Sequence, residues 1–469
     1  MAAKTHAGQV GYIRSLNDLF VVIRLTSEQR PGAGQTLTIV DKPEVILLVE
    51  ASTEDTVYCL NIFGSPNIQQ HDVVLIGDQS IMLPSGQSVL GRVFDSMGRV
   101  IDGEGDFKGG HKLPMRTVVK QQLGKKNKPE VLETGIKVID FLAPFVKGRR
   151  IGIIGGAGVG KTVLTTEMMH NVADKKAALS FFVGIGERIR EGHELYHTLK
   201  DRGLGESTVM FMGQMNENAA LRSLVGPSAA TVAHSFTEQG KDVLFFVDNI
   251  YRFVQARNEL AAMRGTTPSE GGYQASLFSD LHRFEDSLHA TEKGSITSIQ
   301  SIFIPADDLS DPAVVEISQQ LDSTIVLSRD VFERGIFPAV DLLNTTSSLI
   351  TPEILGERHF NLVGRVKAVM RKYYSLRTII AIVGESELSP EDRLDYERAQ
   401  ELTQFFSQRM FVTEDLSGKK GEYFTREQTL KGVEKILNGT STPAPTEPPK
   451  EEAEANTAQA DTTNEAPHS

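Results

Sequence analysis

The run Gly155-Gly156-Ala157-Gly158-Val159-Gly160-Lys161-Thr162, continued by Val163, sets glycines, a lysine and a hydroxyl at the spacing of a phosphate-binding loop. Glycines let backbone N–H groups close around phosphate oxygens, and a helix opening at Lys161 adds partial positive charge from its N-terminus. Lys161 then reaches the β- and γ-phosphates, and the Thr162 hydroxyl suits Mg²⁺. The flanks fit. Ile151 to Ile154 reads as a strand, and Lys161 to Asn171 as a helix with Leu164, Met168 and Val172 on one face.

Two further carboxylates follow apolar runs. Val243 to Val247 ends in Asp248, at the edge where open α/β sheets bind ligands, and this position suits holding Mg²⁺ through water. Leu179 to Val183 leads into Gly184-Ile185-Gly186-Glu187-Arg188-Ile189-Arg190-Glu191-Gly192. Hydrolysis of a nucleoside triphosphate needs a group that orients water in line with the γ-phosphate, and Glu187 is the candidate. Arg188 either contacts the phosphate or locks Glu187. The pattern alone is equally compatible with a charged surface loop.

The elements that must position these residues fall into blocks. Residues 1–82 hold short apolar runs such as Leu19 to Leu25, Val45 to Val49 and Val73 to Ile76, separated by turn-rich pieces, which predicts a small N-terminal β-barrel. Residues 83–352 alternate continuous apolar runs with helical stretches. This is the pattern of an α/β nucleotide-binding domain with a parallel sheet buried on both faces. Residues 353–438 read as a C-terminal helical domain, with Ser389-Pro390-Glu391-Asp392 opening a helix toward Ser407. Residues 439–469 carry six acids against Lys450 and, from Thr440, no Ile, Leu, Val, Met or aromatic side chain. That composition predicts a disordered acidic tail.

Composition narrows the function. Lys and Arg number 49 against 61 Asp and Glu, a formal charge of −12, which argues against a general nucleic-acid binder. The single cysteine, Cys59, sits in an apolar strand-like run, so a buried inert thiol is expected and an intrachain disulfide is excluded. No stretch is long and apolar enough to span a bilayer, and Met1 to Gly8 shows no signal or presequence pattern, so a cytosol-like location is expected.

With these motifs in place, the chain resembles the catalytic beta subunits of F-type ATP synthases. The resemblance rests on Thr134-Gly135-Ile136-Lys137-Val138-Ile139-Asp140, the phosphate loop, Gly186-Glu187-Arg188-Ile189-Arg190-Glu191-Gly192, Gly213-Gln214-Met215-Asn216-Glu217 and Asp248-Asn249-Ile250-Tyr251-Arg252-Phe253. It continues through Pro268-Ser269, Gly272-Tyr273-Gln274, Lys293 to Ser298, Pro305 to Leu309 with Asp311-Pro312, and Gly335 to Asp341. It covers about 83 to 438 densely and the barrel loosely. It implies a catalytic carboxylate at Glu187, arginines facing the γ-phosphate at Arg188 and Arg252, and acids near Mg²⁺ and its waters at Glu191 and Asp248. The family's non-catalytic alpha subunit carries Gln at the Glu187 position. The adenine pocket falls on Phe337, Met410 and Leu416. The implied partners are an alpha subunit, alternating three and three with this chain and lending an arginine, a central-stalk gamma subunit and, indirectly, a membrane ion-translocating sector. The implied place is the cytoplasmic side of a bacterial membrane, as a peripheral protein.

The departures from that pattern are specific. Phe337 replaces a tyrosine, and Met410 and Leu416 replace two phenylalanines. Asn218-Ala219 stands where the family has two prolines, and Ser348 where it has an arginine. The acidic loop that meets the rotor in the family appears as Ser386 to Asp392, which serves equally as a helix cap. Two other readings share the architecture: a hexameric translocase ATPase of protein export or an RNA-tracking helicase, and a divergent beta paralogue. The charge of −12 disfavours RNA tracking, and Gly272 to Gln274 with Pro305 to Pro312 favours the beta subunit over exporters.

Overall fold

The computed structural model describes residues 8–439 except 66, 78–79, 106, 108–109, 116–128, 157, 175–177, 289–290, 292, 305–309 and 385–387. The acidic tail, the Pro305 to Leu309 stretch and the first two residues of the rotor-loop motif therefore lie outside the described residues.

Strands β1 (Gln9–Asn17), β2 (Phe20–Leu25), β3 (Thr36–Ile39), β4 (Lys42–Ser52), β5 (Thr56–Asn61) and β6 (Val73–Ile76) close into a barrel in the order β1-β2-β5-β4-β3-β6. Alternating inward residues fill it, among them Val10, Ile23, Leu47 and Val57, with Cys59 buried among them. Burial and the charge of Glu50 push the Cys59 thiol far above its usual range, consistent with an inert core residue.

Two short pairs connect the barrel to the rest: β7 (Met82–Ser85) with β9 (His111–Pro114), and β10 (Val131–Leu132) with β11 (Phe145–Val146). The central sheet holds β8 (Val93–Phe94), β12 (Arg150–Gly155), β13 (Leu179–Glu187), β14 (Thr208–Gln214), β15 (Val243–Asp248), β16 (Ile296–Phe303), β17 (Ser323–Val326) and β18 (Thr346–Ser347). Their order is β18-β17-β12-β16-β15-β13-β14-β8, parallel throughout except for the antiparallel edge strand β18. Side chains alternate between its faces. Phe182 and Phe246 join one core, Phe181 and Phe245 the other, which is why these strands read as unbroken apolar runs.

Helices α2 (Lys161–Asp174) and α3 (Ile189–Asp201) pack on the first face, in one core with α1 (Lys137–Leu142). Helices α4 (Ala219–Thr237), α5 (Ile250–Met263), α6 (Leu277–Asp286) and α7 (Pro312–Gln319) pack on the second. After α8 (Arg329–Glu333) come α9 (Pro352–Leu355), α10 (Glu357–Val383), α11 (Pro390–Phe406), α12 (Glu414–Ser417) and α13 (Arg426–Leu437). The first-face core runs without a break into this helical domain through Phe141, Val366, Leu402, Phe406 and Val433.

Asn218 explains one departure from the family pattern. It caps α4, accepting from Leu221 N at 3.1 Å, while its amide donates to Ile62 O of the barrel at 2.7 Å. Its φ of −67° is one that proline also adopts, so the backbone is unchanged while a cap and an interdomain tie are gained. Asn218→Ala should cost about 1 kcal/mol for the cap alone, read as a lower denaturation midpoint with faster amide exchange at Leu221. An unchanged midpoint would show that neither bond contributes.

Candidate functional site

The sheet's carboxyl edge gathers the chemistry. Strand β12 ends at Gly155, where an added Cβ would come within 3.0 Å of Leu327 Cβ and Val159 Cγ2. Gly158 and Gly160 have φ of 76° and 92°, the left-handed region that glycine occupies without strain. The Lys161 ammonium curls back over this loop and donates to Gly155 O at 2.6 Å. Ala157 is outside the described residues.

Beside the loop lies a cleft of about 350 Å³ lined by Thr162, Thr166, Glu187, Glu191, Glu194 and Asp248 among others. Glu187 arrives there as part of β13, not on a loop after it. The strand runs on from Val183 to Glu187, pairing Gly184 with Asp248 of β15 and Glu187 with Gln214 of β14. The intervening glycines have packing reasons: a Cβ on Gly184 would meet Met212 Cε at 2.7 Å, and Gly186, at φ 64°, forms the register shift before Glu187.

Glu187 is only 8% exposed, with Arg252 Nη2 3.7 Å from its carboxylate. Arg252 also donates to Gly186 O, so the guanidinium is held from both sides. Desolvation first, then the charge of Asp248 and a hydrogen bond with the Glu191 carboxyl, push the Glu187 pKa up to about 8, against a smaller opposing effect of Arg252. Asp248, at the end of β15, is likewise raised by desolvation, while Ser301, Lys161 and Arg252 pull it back. The donors facing this cleft are oxygens, as a hard cation such as Mg²⁺ requires. Among the described residues no three acids, histidines or cysteines converge into a cage. Thr162, Asp248 and Glu191, which line the same cleft, are the residues that could hold such an ion.

The structure separates Arg188 from Arg252. Arg188 has a side chain 66% exposed and pairs with Glu191 at 3.3 Å, whereas Arg252, 29% exposed, lies against the Glu187 carboxylate.

A second, larger cavity of about 770 Å³ opens on the other side of the phosphate loop. Val159, Gly160 and Val163 floor it; Phe337, Pro338, Gln408, Met410 and Thr413 wall it. Phe337 keeps an exposed ring face and meets Phe332 edge-on at 5.4 Å. Met410 is buried against the cavity, whereas the Leu416 side chain is outside what the structure describes. Gln408, which the motif reading did not single out, ties this wall together. Its backbone N–H donates to Phe337 O at 2.7 Å, and its side chain donates to Gly135 O and Glu422 O and accepts from Lys137 N. These four bonds run from 2.7 to 2.9 Å and cross as many as 273 positions of sequence.

Residues 135–347 match the model of the ATP synthase alpha/beta family, nucleotide-binding domain, and residues 348–419 match the C-terminal domain of V and A type ATP synthase. The nucleotide-binding domain belongs to the ATP synthase alpha/beta family. Within it fall Lys161, Thr162, Glu187, Asp248, Arg252 and Phe337; Met410 falls in the second match. An alpha/beta-family domain makes ATP or ADP the ligand of the phosphate loop and the chain an ATPase. No described helix is long and apolar enough to cross a membrane.

The raised Glu187 pKa has a sign that can be tested. Between the ordinary value of 4.5 and about 8, the folded chain binds a proton at this site that the unfolded chain has released. Stability contributed by this group is therefore lost as pH rises through that window. Glu187→Gln abolishes the titration. In nucleotide-free chain, the melting temperature of the variant should match wild type near about pH 5 and exceed it increasingly toward about pH 9. Parallel curves would place the Glu187 carboxyl in water.

Proposed function

We propose that this chain is the catalytic, beta-type subunit of an F-type rotary ATP synthase, making or hydrolysing ATP in step with a rotating stalk and a membrane ion path. The observation that carries this reading is Glu187, which lines one cleft with Thr162 and Asp248 and has Arg252 3.7 Å away. The resemblance places glutamine there in the non-catalytic sibling. In the hydrolytic direction, a water oxygen bonds to the γ-phosphorus while the bond from that phosphorus to the bridging oxygen of ADP breaks. Glu187 orients the water, Lys161 neutralises phosphate charge, and Arg252 steadies Glu187 and faces the γ-phosphate. Thr162, Asp248 and Glu191 would hold Mg²⁺ here, and the ion would supply positive charge against the phosphates. Arg188, which the resemblance sets facing the γ-phosphate, is exposed here and paired with Glu191.

An arginine in trans is the remaining requirement. The family resemblance assigns it to an alpha subunit, and the exposed Ile189 and Met215, which flank Glu187 in sequence and in space, offer apolar surface for such a neighbour. A second reading, a V- or A-type catalytic subunit, is supported by the match over residues 348–419. The subunits that co-purify with the chain separate the two: an F-type alpha and gamma pair, or V/A-type stalk and non-catalytic subunits.

Two kinetic outcomes follow. In the assembled complex, Glu187→Gln should lower turnover by orders of magnitude and leave Mg-ATP binding largely intact, while Lys161→Ala damages both. Wild-type turnover in Glu187→Gln would remove that residue from the mechanism. The isolated chain should bind Mg-ATP and hydrolyse it slowly, and its partner should raise turnover at least about a hundredfold, a floor set below the about 10³- to 10⁵-fold that an arginine in trans supplies. Fast hydrolysis by a demonstrated monomer would rule out a shared site; fast hydrolysis by a homohexamer would favour a translocase.

A further inference from the structure

The wall of the larger cavity is held by the same helices that follow the chemistry-bearing strands. On α2, Glu167 is wholly buried although it carries no role in the phosphate loop. Its Oε2 accepts from Val412 N at 3.0 Å, and its Oε1 accepts from Asn171 Nδ2 at 3.5 Å. The Phe411 backbone N–H also donates to this carboxylate. The carboxylate thus satisfies the first N–H groups of the 3₁₀ turn Phe411–Thr413. From the opposite side, Arg202 at the end of α3 donates to Phe411 O and Val412 O, both at 3.1 Å. His170, one turn after Glu167 on α2, stacks on the Phe411 ring at 5.1 Å. The clamped turn begins directly after Met410 and includes Thr413, both of which line the cavity beside the phosphate loop.

We propose that Glu167 and Arg202 are positioning residues for nucleotide-base discrimination: they hang the base wall from the two helices that carry the phosphate loop and follow Glu187. The proposal rests on the reading of the 770 Å³ cavity as the base site. A buried carboxylate taking several donors fixes its partners tightly, because any displaced donor would be left unpaired inside the protein. A guanidinium fork spanning two successive carbonyls fixes them in the same way from the other side.

The test uses the full chain and three probes: ATP, GTP and inorganic tripolyphosphate, with dissociation constants measured by calorimetry. Glu167→Gln replaces one acceptor oxygen with an amide that faces backbone donors. Arg202→Lys keeps the charge but not the fork. Both variants should weaken ATP about tenfold and shrink the ATP-to-GTP preference, with tripolyphosphate affinity unchanged. Tenfold corresponds to about 1.4 kcal/mol. Equal losses for ATP and tripolyphosphate would mean general loosening of α2 and would overturn the proposal, as would unchanged ATP affinity in the two variants when wild type prefers ATP to GTP. A wild type that binds ATP no better than tripolyphosphate would instead remove the base-site reading itself. If Glu167→Gln fails to fold, Arg202→Lys, altered on a partly exposed side chain, decides alone.

Discussion

Asp248 and Glu187 end adjacent parallel strands at one sheet edge, where burial removes most of the water that would stabilise their charge. A carboxylate so placed must be answered by protons, donors or cations. The structure supplies an incomplete answer: Arg252 near Glu187, Ser301 and Lys161 near Asp248, and a hydrogen bond between the Glu187 and Glu191 carboxyls that itself requires a proton. On the proposed reading, a bound divalent cation would supply the positive charge that these carboxylates lack. The sheet makes this arrangement rigid. Glu187 and Asp248 are fixed by ladders to β14, β15 and β16, so their separation cannot relax to relieve repulsion.

The same edge explains why the helical domain matters to the nucleotide. One side of the loop faces the carboxylates, and the other faces a wall built mainly from residues after 400 together with Phe332 to Ala339. Lys137 links the two halves. Its ammonium donates to Ser407 O at 2.9 Å and lies over the Phe405 and Phe424 rings, and its backbone N–H donates to Gln408. Burial pushes its pKa down to about 8, a cost that the cation–π contacts and the carbonyl offset.

Legibility in the sequence follows the range of the interaction. The phosphate loop, its strand and its helix are encoded within about twenty residues, and so they are read directly. The Ser389 cap on α11 is equally local, with Asp392 N donating to it at 3.1 Å. The extent of β13 is not: Gly184 and Gly186 look like a turn, and only the proximity of Met212 and the pairing with β14 reveal that they continue the strand. Barrel closure needs β6 to return to β1, a pairing with no local signature. Glu167 and Gln408 are the clearest omissions. Each has partners hundreds of positions away, Val412 for Glu167 and Gly135 with Lys137 for Gln408, and a glutamate inside a helix or a glutamine after one carries no periodicity that marks it. Arg188 is the converse case. Its motif is conspicuous, yet its side chain sits in solvent beside Glu191.

Taken with the continuous core, these long-range bonds make the cavity wall a single body with two attachments. One runs from Phe337 through Gln408 to Gly135 and α1; the other runs from Phe411 and Val412 to α2 and α3. The first attachment is made to the segment before the phosphate loop, the second to the helices after it. A tilt of the helical domain about either attachment must therefore stretch bonds at the other, unless α2 and α3 move with it. Helix α2 cannot move without carrying Lys161 and Thr162, and α3 cannot move without disturbing Glu191. On the proposed reading of this cavity as the base site, opening it would therefore also displace the helices that carry Lys161, Thr162 and Glu191.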